Sequence, residues 1–132
     1  MILCDTGALI AMVDATDKHH VAVKAFEAQG LLVPTSVLCE VDYFLCKYLG
    51  ENTAKTFFER VVKNNELLVF DHLDLERVNQ IRRHYQDLPL GFVDASIIAL
   101  AERHRIQKVL TLDRRHFRAV KPLHLEYLEL LP

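Results

Sequence analysis

The sequence predicts an α/β protein of three layers, in which a central, mostly parallel sheet is covered by helices on both faces. Short apolar runs recur along the chain, and stretches with helical signals separate them, a pattern typical of alternating strands and helices. The 132 residues have the size of one domain with one hydrophobic core, so we expect a single domain over residues 1–132. An apolar content of 51% with 26% charged residues indicates a globular protein rather than a disordered one.

Five segments are predicted to be strands. The first four are apolar runs at residues 2–4, 31–33, 67–70 and 109–112, and a weaker strand at 123–130 is expected to join the same sheet. The intervening helices are predicted from residues that favour helix ends. These residues are Asp17 and Gly30 for one segment, Thr35 or Ser36 and Gly50 for the next, Asn52 at the start of a third, and Asp74 and Gly91 around a fourth. The clearest helix lies near residues 92–104.

Several classes of protein are disfavoured by composition. The longest purely apolar stretch, residues 8–13, is far shorter than the ~20 residues of a membrane span, and the start of the chain lacks the basic region of a secretory signal. We therefore expect a cytoplasmic protein with no membrane contact. The chain has an odd number of cysteines, and Cys4, Cys39 and Cys46 form no CxxC pair. This argues against a disulfide framework and against a zinc site, and the three cysteines are predicted to be small buried residues. A net charge of −2 means that any polyanion must be attracted by a local patch.

Four carboxylates, Asp5, Glu40, Asp94 and Asp113, lie where an apolar segment meets a turn or the start of a helix. They are 35, 54 and 19 residues apart, so only the fold can bring them together. Ligands of open α/β sheets bind at the carboxyl ends of the strands. Asp5 and Asp113 follow the first and fourth apolar runs, and we expect them at the same edge of the sheet. A cluster of four such acids would be strongly repulsive and implies a bound cation.

Helical periodicity distinguishes these acids from their neighbours. Glu40 shares a face with Val41 and Phe44, which predicts that it points inward, and it lies four residues after Ser36, whereas a capping box needs three. Asp42 falls about 200° around the same helix and is predicted to be a solvated surface acid.

Asp94 heads a stripe formed by Ile97, Ile98 and Ala101, where an unpaired buried acid is costly, although the helix dipole alone would also favour a carboxylate there. Asp5 or Thr6 could simply cap the following helix, and Asp113 could be a turn residue.

Other catalytic signatures are missing. Neither an HExxH pair nor a glycine-rich phosphate loop is present, and the seven histidines are dispersed and predicted to lie mostly on the surface. Asp87, just before residues 88–91, is a further acid that could reach the site from a loop. Of the catalytic chemistries considered, the one that the sequence still supports is chemistry carried by carboxylate oxygens.

With these residues in view, the chain resembles the PIN-domain family, and most closely the VapC-type ribonuclease toxins of VapBC toxin–antitoxin pairs. The first strand opens into Asp5-Thr6, residues 34–40 match the helix start that carries the second acid, Asp94 opens an alanine- and isoleucine-rich helix, and Thr111 with Asp113 forms the last element. Many members have an aromatic residue three positions after the final aspartate, whereas Phe117 lies four positions after Asp113. The resemblance implies a three-layer PIN-like fold.

What the resemblance implies for function is a metal-dependent RNA endonuclease that leaves a 5′-phosphate. Asp5, Glu40 and Asp94 would hold Mg²⁺, with Mn²⁺ as a substitute, and Asp113 would complete the site. Hard divalent ions prefer such oxygen ligands. Thr6 would orient a water or a phosphate oxygen. One or two ions are compatible with this set of residues.

The resemblance also implies partners, namely an RNA substrate, a VapB-type antitoxin and a second copy of the chain in a homodimer. Arg114, Arg115 and Arg118 directly follow Asp113 and are predicted to contact RNA phosphates, although a solvated loop or an acidic protein partner would explain them equally. Phe57 and Val61 are candidate dimer-interface residues, and core packing is the alternative.

Three other functions compete with the nuclease. A catalytically silent PIN-like scaffold or protein-binding module would lack one of the acids, and none is lacking. A phosphatase of the haloacid dehalogenase type needs DxD after the first strand, where this chain has Asp5-Thr6-Gly7. A receiver domain needs an aspartate closing a central strand, whereas the 31–33 run ends in Pro34.

Overall fold

A computed structural model describes all residues, 1–132, and contains one sheet of five parallel strands. The strands are β1 (Ile2–Cys4), β2 (Leu31–Pro34), β3 (Leu67–Leu68), β4 (Lys108–Leu110) and β5 (Glu129–Leu131). Their order across the sheet is β3-β2-β1-β4-β5, and every neighbouring pair is parallel. The predicted α/β class with a parallel sheet is confirmed.

Seven α-helices connect and flank the strands. They are α1 (Thr6–Val13), α2 (His20–Lys24), α3 (Leu38–Leu49), α4 (Glu51–Lys63), α5 (His72–His84), α6 (Phe92–His104) and α7 (Arg115–Ala119), with short 3-10 turns at Glu27–Gln29 and Thr35–Val37. The helix predicted at residues 92–104 coincides with α6. The short helix α7 was not predicted.

Some predicted boundaries are wrong for local reasons. The strand predicted at 67–70 stops after two residues, because the backbone N–H of Phe70 donates to the side-chain oxygen of Thr35 (2.9 Å) instead of continuing the ladder. The last strand covers Glu129–Leu131 rather than 123–130. Helix α5 begins after Asp71, which caps it in a reciprocal capping box, whereas Asp74 had been expected at its start.

The sheet is covered on both faces. All three residues of β1 are at most 1% exposed, and consecutive buried residues in a strand require packing on both sides. Thirty-two buried apolar residues form one cluster around it. Phe57 and Val61 belong to this cluster at 3% and 1% exposure, so the suggestion that they form an interface is wrong and the packing alternative holds.

The cysteines follow their prediction only in part. All three are free thiols, but only Cys4 is buried, while Cys39 is exposed and Cys46 is half-buried on α3. None of the helices combines the length and the apolar character that a membrane span requires.

The strand order creates a crevice beside β1. The chain leaves β1 towards β2 and β3 and then crosses to β4 on the opposite side of β1. Such a reversal of winding opens a gap at the carboxyl ends of the two strands that flank it. The backbone N–H of Asp5 donates to the carbonyl of Leu110 across this point (3.0 Å), so the segments that follow β1 and β4 start side by side.

Candidate functional site

A cleft of about 760 Å³ opens at the carboxyl ends of β1 and β4, and we call it the acidic cleft. Asp5, Glu40, Asp94 and Asp113 all line it, although they come from four separate parts of the sequence. Asp17 adds a fifth carboxylate that the sequence analysis treated only as a helix-end signal. The fold thus concentrates negative charge at the position where α/β proteins bind ligands.

Asp5 caps α1 and faces the acidic cleft at the same time. One carboxylate oxygen accepts from the backbone N–H of Thr6 (2.8 Å), and the other accepts from the hydroxyl of Thr111 (2.9 Å). Asp5 is only 9% exposed. Burial raises its pKa to about 6, the negative charges of Asp94 and Glu40 act in the same direction, and the two hydrogen bonds offset only part of the rise. The capping and site interpretations are therefore both satisfied by one side chain.

Glu40 lies in the first turn of α3 and reaches across to α1. The hydroxyl of Thr6 donates to its Oε1 atom at 2.8 Å, so Thr6 positions this carboxylate in the structure. The residue is exposed within the cleft, whereas the adjacent Val41 is fully buried. The prediction that Glu40 points inward is thus wrong in that its side chain does not enter the core. It holds only in that the side chain lines the cleft. Asp42 is exposed, as predicted.

Asp94, in the first turn of α6, is paired with a histidine that the sequence analysis missed. His116 Nδ1 lies 2.9 Å from Asp94 Oδ2 and 3.8 Å from Asp113 Oδ2. Burial raises the pKa of Asp94, as do the charges of Asp113 and Glu40, while the contact with His116 lowers it. His116 therefore lies between two of the four acids.

The signal for His116 was its spacing from Asp113. It occupies the position three residues after that aspartate, where the family resemblance implies an aromatic residue, and the aromatic Phe117 lies one position later and is 1% exposed in the core. Burial of Phe117 anchors α7, and the adjacent His116 contacts Asp94.

Thr111 connects the two strand-end acids. Its hydroxyl donates to Asp5 and also accepts from the backbone N–H of Asp113 (3.1 Å), and the residue is fully buried. The carboxylate of Asp113 itself is 57% exposed, and it lies three residues beyond β4 rather than directly after it. Asp113 is therefore more exposed than Asp5 and Asp94.

Other residues named in advance lie outside the acidic cleft. Asp87 is exposed and does not line it. Arg114, Arg115 and Arg118 do not line it either, and the guanidinium of Arg114 donates to the carbonyl of Pro132. Arg115 and Arg118 are exposed on α7.

The residues of the cleft fit a hard divalent cation by their chemistry. Their donors are carboxylate and hydroxyl oxygens, the ligands that Mg²⁺ and Mn²⁺ prefer. Burial, reinforced by the neighbouring carboxylates, raises the pKa of Asp5 and that of Asp94, and a bound cation would favour the charged form of both groups. No group of three such side chains is arranged around a common point in this conformation. Asp94 Oδ2 faces His116, and the contacted oxygens of Asp5 and Glu40 accept hydrogen bonds from the chain.

Comparisons with known proteins agree with one another. A sequence model of the PIN domain matches residues 2–122. Ribonuclease VapC26 of Mycobacterium tuberculosis is 33% identical over 126 residues, which cover 92% of this chain and 93% of that protein. The crystal structure of VapC20 from Mycobacterium tuberculosis, a Sarcin-Ricin loop cleaving toxin, has a TM-score of 0.75 at 21% identity and covers both chains completely.

A second solved structure extends the likeness. VapBC2 from Rickettsia felis, bound to a DNA fragment from its promoter, has a TM-score of 0.74 at 16% identity, again over 100% of both chains. At these identities the two crystal structures establish a shared fold, which is the three-layer arrangement expected from the sequence.

Proposed function

This chain belongs to the PIN-domain family, in its VapC branch, and on that premise we propose that it is a Mg²⁺-dependent endoribonuclease and the toxin of a toxin–antitoxin pair. The observation that carries the proposal is the convergence of Asp5, Glu40, Asp94 and Asp113 on one cleft at the switch point of the sheet. A related protein, 33% identical, is named a ribonuclease, which supports RNA as the substrate class.

Asp5, Glu40 and Asp94 would hold the cation, and Asp113 would complete its surroundings. When bound, a divalent cation offsets the charge of the carboxylates, activates water and stabilises the charge that develops on the phosphoryl group. Hydrolysis then adds water at phosphorus and breaks the bond to the 3′ oxygen, which leaves a 5′-phosphate and a 3′-hydroxyl.

The chain's own residues orient the acids for this reaction. The Thr6 hydroxyl holds Glu40 at 2.8 Å, and the Thr111 hydroxyl holds Asp5 at 2.9 Å. His116 holds Asp94 through Nδ1. These partners restrict rotation of three carboxylates, and such support of ligands is worth about 10- to 100-fold in metal affinity or activity in known metal sites.

A small antitoxin and a second copy of the chain are the proposed protein partners. The solved relative from Rickettsia felis is a VapBC pair, and its fold matches this chain over its whole length. Light scattering of the purified protein, whose chain mass is 15.2 kDa, tests the dimer, since a monomer in solution would contradict it.

The decisive experiment is cleavage of RNA with and without Mg²⁺ or Mn²⁺. Wild type should cleave with metal and lose activity in excess EDTA, and Asp5→Asn and Asp94→Asn should be inactive. Asp42→Asn provides the matched control, because Asp42 is an exposed acid on the same helix as Glu40 and does not line the cleft. Full activity of a folded Asp5→Asn variant, or of wild type in EDTA, would contradict the assignment. A wild type inactive on every RNA tested would favour the silent scaffold.

A further inference from the structure

A second cleft, of about 890 Å³, lies next to the acidic cleft and has the opposite character. Gly91 lines both clefts, and it immediately precedes α6, whose first turn carries Asp94. None of the residues that line the second cleft is acidic. We call it the basic cleft and define it by Asn79, Arg82 and Arg83 of α5, by Gln86, which lies two residues beyond the end of that helix, and by the segment 88–91.

The polar wall of the basic cleft is formed by one face of α5 and the turn that follows it. Arg82 and Arg83 lie three and four residues after Asn79, the spacing that places side chains on one side of α5, and Gln86 follows in the turn after the helix. Ile81, on the buried side, is 1% exposed. Four side chains that carry hydrogen-bond donors therefore line this wall, and two of these side chains are permanently charged.

Neither Arg82 nor Arg83 has a carboxylate within salt-bridge distance or a hydrogen bond to the rest of the chain. Other arginines nearby are engaged: Arg77 with Glu102 at 2.7 Å and Arg103 with Asp74 at 2.7 Å. The helix dipole favours basic residues in the last turn of α5, which explains their charge. The helix dipole does not explain why no acidic residue lines this cleft, whereas five acidic residues line the neighbouring one.

We propose that the basic cleft binds the RNA backbone next to the phosphodiester that is cut, so that the substrate crosses Gly91 from one cleft to the other. This inference rests on the proposed ribonuclease function. An acidic cleft repels a polyanion, and phosphate contacts outside it are needed to position the strand. Guanidinium groups can bind phosphate through two donors each, and the amides of Asn79 and Gln86 supply neutral donors to phosphate or sugar oxygens. Continuity with the acidic cleft favours RNA over an acidic protein segment as the occupant.

The test compares two pairs of basic residues that carry the same charge at different places. Fluorescence anisotropy of a labelled single-stranded RNA in EDTA measures binding by wild type, by Arg82→Gln with Arg83→Gln, and by Lys55→Gln with Lys63→Gln. The second pair is exposed on α4 and lines neither cleft.

Removal of two phosphate contacts from a single strand should reduce the slope of log affinity against log salt by about 1.4. At 0.1 M salt this corresponds to a loss of roughly 25-fold in affinity. The α4 pair should lose much less, and Arg82→Lys with Arg83→Lys should retain most of the affinity because the charges remain. Unchanged melting temperatures confirm that the variants are folded.

The proposal is overturned if the α5 pair binds RNA with wild-type affinity and salt slope, in which case the cleft serves a protein partner or solvent. It is also overturned if both pairs lose affinity equally, because the effect would then depend on net charge alone. Cleavage by wild type in Mg²⁺, measured in parallel, tests the ribonuclease function separately. RNA binding that depends on Arg82 and Arg83 without any cleavage would contradict the nuclease and not the binding site.

Discussion

Replacement of Asp5 by asparagine isolates the electrostatic cost of the acidic cleft. The carbonyl of an asparagine can keep the hydrogen bond from the Thr6 N–H, now 2.8 Å from Oδ1. Its amide can donate to the Thr111 hydroxyl, which is free to donate in turn to the carbonyl of Asp113 at 3.1 Å. The substitution thus removes the charge and preserves the local contacts.

The expected gain in stability follows from the pKa of Asp5. Burial, reinforced by Asp94 and Glu40, raises this pKa from 3.8 to about 6. Since one pKa unit corresponds to about 1.36 kcal/mol, ionised Asp5 destabilises the folded protein by about 3 kcal/mol relative to the unfolded chain. In EDTA at pH 8, we expect Asp5→Asn to raise the free energy of unfolding by up to about 3 kcal/mol, while abolishing RNA cleavage.

The pH dependence has a definite sign. A carboxyl whose pKa is raised by folding binds its proton more tightly in the folded state, so its contribution to stability is fully present below pH 3.8 and is lost as the pH rises through about 6. The stability difference between Asp5→Asn and wild type should therefore be small near pH 4, grow as the pH rises from about 4 to about 6, and remain constant above pH 7.

Urea unfolding in EDTA across this pH range measures the effect. Asp42→Asn is the control, because an exposed acid away from the cleft should change the free energy of unfolding by no more than about 0.5 kcal/mol. A folded Asp5→Asn protein that is less stable than wild type at pH 8, or a difference that does not grow with pH, would refute the reasoning.

Three further results are expected. Mg²⁺ or Mn²⁺ should raise the melting temperature of wild type and raise that of Asp5→Asn less, since ligands stabilise the state that binds them; equal shifts would exclude Asp5 as a ligand. Arg103→Gln should lower the free energy of unfolding by roughly 2–4 kcal/mol in urea titrations, because it leaves the carboxylate of Asp74, only 2% exposed, without its partner at 2.7 Å. His116→Phe should weaken Mn²⁺ binding in calorimetry by about tenfold, whereas His116→Asn, which can replace the Nδ1 donor to Asp94, should bind nearly normally; the same affinity for both would remove His116 from its positioning role.

Helix α6 shows how far local pattern determines structure in this chain. Gly91, the apolar stripe from Ile97 to Ala101 and the basic end near His104 specify its start, buried face and end without reference to any other segment, and the predicted bounds match. Strand β3 shows the opposite case. Residues 67–70 look like one strand, but the hydroxyl of Thr35, 35 positions earlier, takes the N–H of Phe70 and ends the ladder.

The functional site was likewise predictable from local sequence only in part. Spacing and helical faces identified Asp5, Glu40, Asp94 and Asp113 as the acids to consider, because each lies at a boundary that the sequence marks locally. Periodicity could not show that Glu40 faces open cleft instead of core, since exposure depends on what packs against a helix and not only on which side a residue occupies.

The alternation of strands and helices, the bounds of α6 and the choice of four acids were determined by the sequence, because hydrophobic period and helix-end chemistry act over a few residues. Tertiary structure alone decided that His116 lies between Asp94 and Asp113, and that Arg82 and Arg83 border a cleft joined to the acids at Gly91. These contacts depend on the order of parallel strands, which is set by packing between segments far apart in the chain.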